Sequence, residues 1–256
     1  MTVRDLYDLI DRFAPFDTQA EFDNAGLLVG SPSQEVRGVL FALDVTEAVI
    51  DEAVSRDVQL IVTHHPMMFS PRKELTDGDC EGRLIRRLVR EDISLIAAHT
   101  NLDQAPGGIN DVLAECCGLT GVTGEGFLRF GILAEPVSAR AFAEDLSRRL
   151  NTAVRLMGPE NTIIRKAALC SGGGSDEWAG AVAAGCQAFI SGEIKHHHAL
   201  ALADSGVVAL ECGHFATEQP GIAALAAALQ NHPDTVQYKM RIYVSEVSAY
   251  SFPQQP

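Results

Sequence analysis

Three apolar, strand-like runs in this sequence end in histidine. Leu60-Ile61-Val62-Thr63 runs into His64-His65-Pro66, and Ile96-Ala97-Ala98 runs into His99-Thr100-Asn101-Leu102-Asp103. Val208-Ala209-Leu210 runs into Glu211-Cys212-Gly213-His214, with Glu218 one helical turn further on. A single histidine after a strand is ordinarily a hydrogen-bonded structural residue; three such ends, each with a carboxylate close by, point instead to a metal. Imidazole and carboxylate together suit zinc, iron, manganese or nickel, and the candidate donors outnumber the four that one tetrahedral ion takes. Two ions about 3.5 to 4 Å apart would use the surplus.

The spacing sets conditions on this reading. Successive strand residues point to opposite faces, so His64 and His65 can both ligate only if the strand has ended and Pro66 has turned the chain. His214 and Glu218 have the separation that brings two side chains onto one side of a helical turn. His99 and Asp103 have the same separation, so one of that pair, or both, is expected to reach the metals.

Other conspicuous residues have plainer readings. In His196-His197-His198 consecutive helical side chains point about 100° apart, so they cannot all face one ion, and His197 is the one expected to face a cleft. Gly172-Gly173-Gly174-Ser175 could cradle a phosphate through backbone N–H groups. It lacks the lysine of a P-loop, and a tight strand-to-helix turn is the favoured reading. Cys212 reads as a buried thiol, and Asn24 in Asp23-Asn24-Ala25-Gly26 as an Asx turn residue. Arginines 83, 86, 87 and 90, set between Leu84, Ile85 and Leu88, describe one solvated helix face.

The elements that must position these groups follow from periodicity. Val3–Phe13 has helical spacing and ends before Pro15, and the segment 23–30 reads as a turn into a short strand. Strands are then expected at 36–44, 59–63 and 93–98, alternating with helices at 46–56, 81–91 and 108–117. The glycine-rich stretch 118–126 reads as a hinge. Beyond it come strands near 127–134, 166–170, 188–191, 207–211 and 235–243, with helices at 138–150, 176–184, 195–204 and 221–230. Strands alternating with helices of this length imply βαβ units and mainly parallel sheets covered on both faces. In such sheets the carboxyl ends of the strands open on one edge, where the histidines fall. The expected fold class is therefore α/β, as two similar three-layer domains, 1–125 and 126–256. The halves share a rhythm without a residue-level repeat.

Bulk properties exclude several classes. With 46% apolar and 21% charged residues, the 256-residue chain has the composition of a globular protein. Its longest apolar runs fall far below the roughly 18 residues of a membrane-spanning helix. The first ten residues lack the blocks of a secretory signal, so a cytoplasmic location and no membrane partner are expected. Six scattered cysteines without CxxC pairs suit reduced thiols. A net charge of −14 makes nucleic acid an improbable partner, since backbone affinity comes from Lys and Arg.

Taken in order, the blocks Asp23-Asn24-Ala25-Gly26-Leu27 with Gly30, Thr63-His64-His65-Pro66, His99-Thr100-Asn101-Leu102-Asp103, Gly172-Gly173-Gly174-Ser175, Ser191-Gly192-Glu193-Ile194-Lys195-His196-His197 and Gly213-His214-Phe215-Ala216-Thr217-Glu218 cover nearly the whole chain. In these the sequence resembles the Nif-three-like dinuclear-metal-centre family, many of whose members are labelled GTP cyclohydrolase I type 2. The resemblance implies metal ligands at His64, His65, Asp103, His214 and Glu218, with His99 and His197 near the site. It also implies two divalent ions lying between two α/β domains, and a toroidal homohexamer; in the domain reading itself, the terminal strand can pack back on the first domain. The function to expect is that of a dinuclear-metal-dependent hydrolase acting on a small molecule, with GTP ring opening as the suggested reaction. His99, His197 or Glu193 would move protons, and Lys195 or Arg129 would offset phosphate charge. The alternative is a non-catalytic, ring-shaped metal-binding scaffold or regulator. Phe215 and Cys212 depart from the family pattern and leave the substrate pocket open.

Overall fold

The computed structural model describes residues 1–247. In chain order its regular elements begin with α1 (Val3–Phe13), β1 (Gly26–Val29), β2 (Gly38–Ala42), α2 (Glu47–Ser55), β3 (Leu60–Thr63), α3 (Cys80–Arg90), β4 (Ser94–Ala97) and α4 (Thr100–Gln104). They continue with α5 (Ile109–Cys116), β5 (Thr120–Thr123), β6 (Arg129–Ser138), α6 (Ala139–Arg149), β7 (Arg155–Met157), β8 (Ile163–Cys170), α7 (Trp178–Ala183) and β9 (Ala188–Ser191). Last come α8 (His196–Asp204), β10 (Val208–Glu211), α9 (His214–Gln230), α10 (Pro233–Gln237) and β11 (Arg241–Val244).

The described residues divide into two compact units: Met1–Ala105 together with residues 222–247, and Pro106–Gly221. This corrects the expected division at 125. The glycine-rich stretch is no hinge, because Thr120–Thr123 is an edge strand paired antiparallel with β6 inside the second unit. The last crossing between units lies beside Pro220 and Gly221 within α9.

The first unit holds a five-stranded sheet in the order β1-β4-β3-β2-β11, all parallel except β1. Its central strands read Val39-Leu40-Phe41, Leu60-Ile61-Val62 and Leu95-Ile96, and all are completely buried. Leu40, Ile61 and Leu95 join Val49, Ile50 and Ala53 of α2 and Leu84 and Leu88 of α3 in one apolar cluster. The alternate residues Val39, Phe41, Val62 and Ile96 are as deeply buried, so both sheet faces are covered, as a parallel sheet requires. Each caps its helices locally. Thr2 starts α1 through a reciprocal capping box with Asp5, and Thr46 accepts from the Val49 N–H to start α2.

The second unit holds a six-stranded sheet, β5-β6-β8-β9-β10-β7. Its centre, β8-β9-β10, is parallel, while β5, β6 and β7 run antiparallel at the flanks. Alternate residues of β8 serve two cores: Ala167 and Leu169 pack with Phe142 and Leu146 of α6, and Ala168 and Cys170 pack with Ala181 and Leu202. Arg129, expected at a phosphate, is instead a buried structural group. Its guanidinium pairs with Asp111 and donates to the carbonyl of Gly126 at 2.7 Å.

Two other expectations shift. The segment 235–243 is not one strand: His232 caps a short helix with Pro233 at its first turn, and the strand starts only at Arg241. The helix expected from 221 begins at His214 and runs through Pro220. Among the described residues no helix is long and apolar enough to cross a membrane.

Candidate metal centre

In the first unit the parallel strands β2, β3 and β4 deliver their carboxyl ends to one edge. The ladder continues past the strands, with the His64 N–H donating to Ala42 O at 3.2 Å, His65 N–H to Leu43 O at 3.0 Å and Ala98 N–H to Thr63 O at 2.8 Å. Thr63 Oγ1 donates to the His65 carbonyl at 2.9 Å, a local turn that lets adjacent histidines look the same way. The rings of His64, His65 and His99 lie with centroids 5.0 to 5.6 Å apart. One ligand nitrogen from each falls within 4.8 Å of the others, a grouping that could hold a metal ion.

Each of these rings is anchored through Nδ1. His64, fully buried, has Nδ1 2.9 Å from Ala98 O. His65 Nδ1 lies 2.7 Å from Asp44 Oδ1, and His99 Nδ1 lies 2.8 Å from Asp23 Oδ1. Carbonyl and carboxylate oxygens only accept, so Nδ1 carries the proton and Nε2 is the unprotonated nitrogen, the one that could take a metal ion or a proton. The one-turn helix α4 then swings Asp103 back, its N–H bonded to His99 O at 3.0 Å, so that Asp103 Oδ1 sits 3.5 Å from His64 Nε2. Burial alone would raise the Asp23 carboxyl, but hydrogen bonds from His99 and Thr100 outweigh it and hold that acid well below the usual carboxylate range.

In the second unit His214 opens α9 and Glu218 stands one turn on, with His214 Nε2 3.1 Å from Glu218 Oε2. His214 Nδ1 is in turn 3.1 Å from Glu193 Oε1, and Glu218 is only 4% exposed. The Gly172 N–H donates to Thr217 Oγ1 at 3.1 Å, which latches the glycine-rich loop against this first turn. Glu193 N–H donates to Gly172 O at 2.8 Å.

The donors fit divalent first-row ions. They are imidazoles and carboxylates without thiolates, and their Nδ1 atoms are held by acceptors in the way metal-binding histidines usually are. Of the expected residues, the structure gathers His64, His65, His99 and Asp103 in one unit, and His214, Glu218 and Glu193 in the other. His197 stands exposed on α8 with its ring centroid 4.2 Å from that of His198. Lys195 Nζ is paired with Asp176 at 2.6 Å. Asn24 Nδ2 donates to Met68 O at 2.6 Å. Cys212 is buried and its thiol is pushed up to about 12 by that burial. Sequence reading missed Asp44, whose only signal is its place just beyond the end of β2.

The chain matches the family DUF34/NIF3, NGG1p interacting factor 3, over residues 1–250. It belongs to that family. This family member is 31% identical over 245 residues to a Clostridium perfringens protein called GTP cyclohydrolase 1 type 2 homolog, covering 92% of this chain and 94% of the relative. A Streptomyces coelicolor protein of the same name is 31% identical over 93% of this chain and 88% of its own length. Among solved structures, a Staphylococcus aureus protein superposes with a TM-score of 0.93 at 28% identity, over 100% of this chain and 99% of that one. A Bacillus cereus protein related to NIF3 reaches the same TM-score at 21% identity, which supports the fold alone.

Proposed function

We propose that this DUF34/NIF3 protein is a metal-dependent hydrolase that holds two divalent ions with His64, His65, Asp103, His214 and Glu218. The observation that carries the reading is the common build of the imidazoles: four rings present Nε2 because Nδ1 is tied to an acceptor. Zinc, iron, manganese and nickel all suit these ligands. Bound there, divalent ions supply Lewis-acid polarisation of a substrate oxygen and lower the pKa of the attacking water.

His99 is the proton carrier in this reading. Its Nδ1 is fixed on Asp23, whose carboxylate stays ionised, so Nε2 accepts a proton from the attacking water and the resulting imidazolium is stabilised. Thr100, which donates to the same carboxylate through both N–H and hydroxyl, holds Asp23 in place. Glu218 and Asp103 are each deeply buried, and bound cations would offset their charge.

The relatives' name supports a purine nucleotide such as GTP as the substrate class, with hydrolytic ring opening and loss of formate. The same reading takes the chain to assemble as a homohexamer and to act in the cytoplasm. The test is turnover by metal-reconstituted protein of GTP and of a panel of cyclic amides and phosphoesters. Formate release from GTP that vanishes in His64→Ala supports the reading. A fully metal-loaded, hexameric protein that leaves the entire panel untouched overturns it in favour of a non-catalytic scaffold.

A further inference from the structure

We infer that Asp44 and Glu193 are a matched pair of positioning residues, each steering one metal-binding histidine, His65 and His214, from the neighbouring strand end. The inference rests on the reading that those histidines hold divalent ions. Neither residue touches the reacting atoms in it; both act through an imidazole.

The two contacts are built alike. In the first unit β2 pairs in parallel with β3, Ala42 opposite Thr63, and the two strands are joined through α2, a nine-residue helix. The ladder runs on beyond both strands through His65 N–H to Leu43 O, so Asp44 is carried level with His65, 21 residues later. In the second unit β9 pairs in parallel with β10, Ser191 opposite Glu211, joined through α8, again nine residues. That ladder also runs on, through Cys212 N–H to Ser191 O and Gly213 N–H to Gly192 O. Glu193 then lies one step from level with His214, again 21 residues later. Carboxylate at the end of one strand and histidine at the end of the next therefore recur in both units as a product of parallel pairing, although no sequence repeat is visible.

The device has a physical purpose. A carboxylate accepting from Nδ1–H fixes the tautomer and ring rotation, and raises the donor strength of Nε2 toward a cation. His64, held by the neutral carbonyl of Ala98, has the same tautomer without that added charge. The donors thus fall into carboxylate-backed rings and a carbonyl-backed one. Asp44 and Glu193 have side chains 36% and 64% exposed, too open to be needed by either core.

The test uses the full chain with Asp44→Ala, Asp44→Asn, Glu193→Ala and Glu193→Gln. Zinc and manganese affinities are read by competition with a chromophoric chelator, the Co(II) absorption spectrum reports the ligand field, and thermal midpoints are taken on metal-free protein. We expect the alanine variants to bind about 10 to 100-fold more weakly. The amide variants, which keep an acceptor but lose the charge, should recover part of that loss and show a shifted Co(II) band. The metal-free midpoint should stay unchanged in all four. Alanine variants that bind as tightly as wild type, or that lose metal-free stability in step with binding, overturn the positioning role. A wild-type chain that takes up no ion overturns the metal reading itself, and this inference with it.

Discussion

Gly172 and Glu218 approach so closely that a β-carbon on the glycine would run into the Glu218 Oε1 atom and come 3.0 Å from His214 Nε2. Gly172 also sits at φ +53°, in the left-handed region that side chains avoid. The glycine-rich loop is thus the wall that packs the second donor pair. Gly172→Ala is expected to cost about 1–3 kcal/mol from backbone strain. It should also push Glu218 out of line and weaken metal uptake. Chemical denaturation and elemental analysis of the same sample check both effects; unchanged metal content would refute the wall.

Asp103 depends on the single turn of α4, and its Oδ1 lies 3.5 Å from His64 Nε2. Wild-type protein saturated at about 100 times the dissociation constant should gain roughly 2.7 kcal/mol over the chelated protein. Asp103→Ala is expected to lose most of that gain while its chelated form melts near the wild-type value. A thermal melt with and without EDTA decides it.

The Asp23 carboxylate titrates well below its ordinary value of 3.8, because the hydrogen bonds from His99 and Thr100 outweigh its burial. A depressed acid contributes stability that is fully present above its unfolded value and is lost as pH falls through the folded one. Stability should therefore decline progressively below about pH 4. Asp23→Asn should be less stable at neutral pH and show a shallower acid decline. Denaturant midpoints between pH 3 and 7 measure this; parallel curves for the two proteins would contradict it.

Arg129 is 5% exposed and ties Asp111 to the loop at Gly126. Arg129 is buried but Asp111 is only half-buried, so Arg129→Ala is expected to lose roughly 1–3 kcal/mol through its lost charged hydrogen bonds. Its metal affinity should remain that of wild type. A large fall in nucleotide affinity without loss of stability would instead restore Arg129 to the phosphate site.

Much of the frame was legible from local pattern. The strand-sized apolar runs at 60–63, 94–97, 188–191 and 208–211 and the helical spacings at 3–13 and 80–90 all lie where periodicity puts them. The departures have local causes that periodicity does not resolve. Thr120–Thr123 reads as glycine-rich linker because an edge strand needs few apolar residues, and Pro233 starts a helix in a segment whose β-rich end disguises it. The compact units differ from the expected division at 125 because the chain crosses between them twice, at Ala105–Pro106 and again at Gly221–Ile222 inside a continuous helix.

For the site, residue types and strand ends alone determined which imidazoles and acids are available, since a strand's end and a helix's first turn are short-range properties. Only the tertiary structure decided what holds each ring. Ala98, Asp44, Asp23 and Glu193 reach Nδ1 atoms 34, 21, 76 and 21 residues away in the chain. Those partnerships are set by the register of parallel strands and by a loop folded back from the start of the chain. Register is fixed by the packing of both sheet faces together, and no window of sequence contains that information.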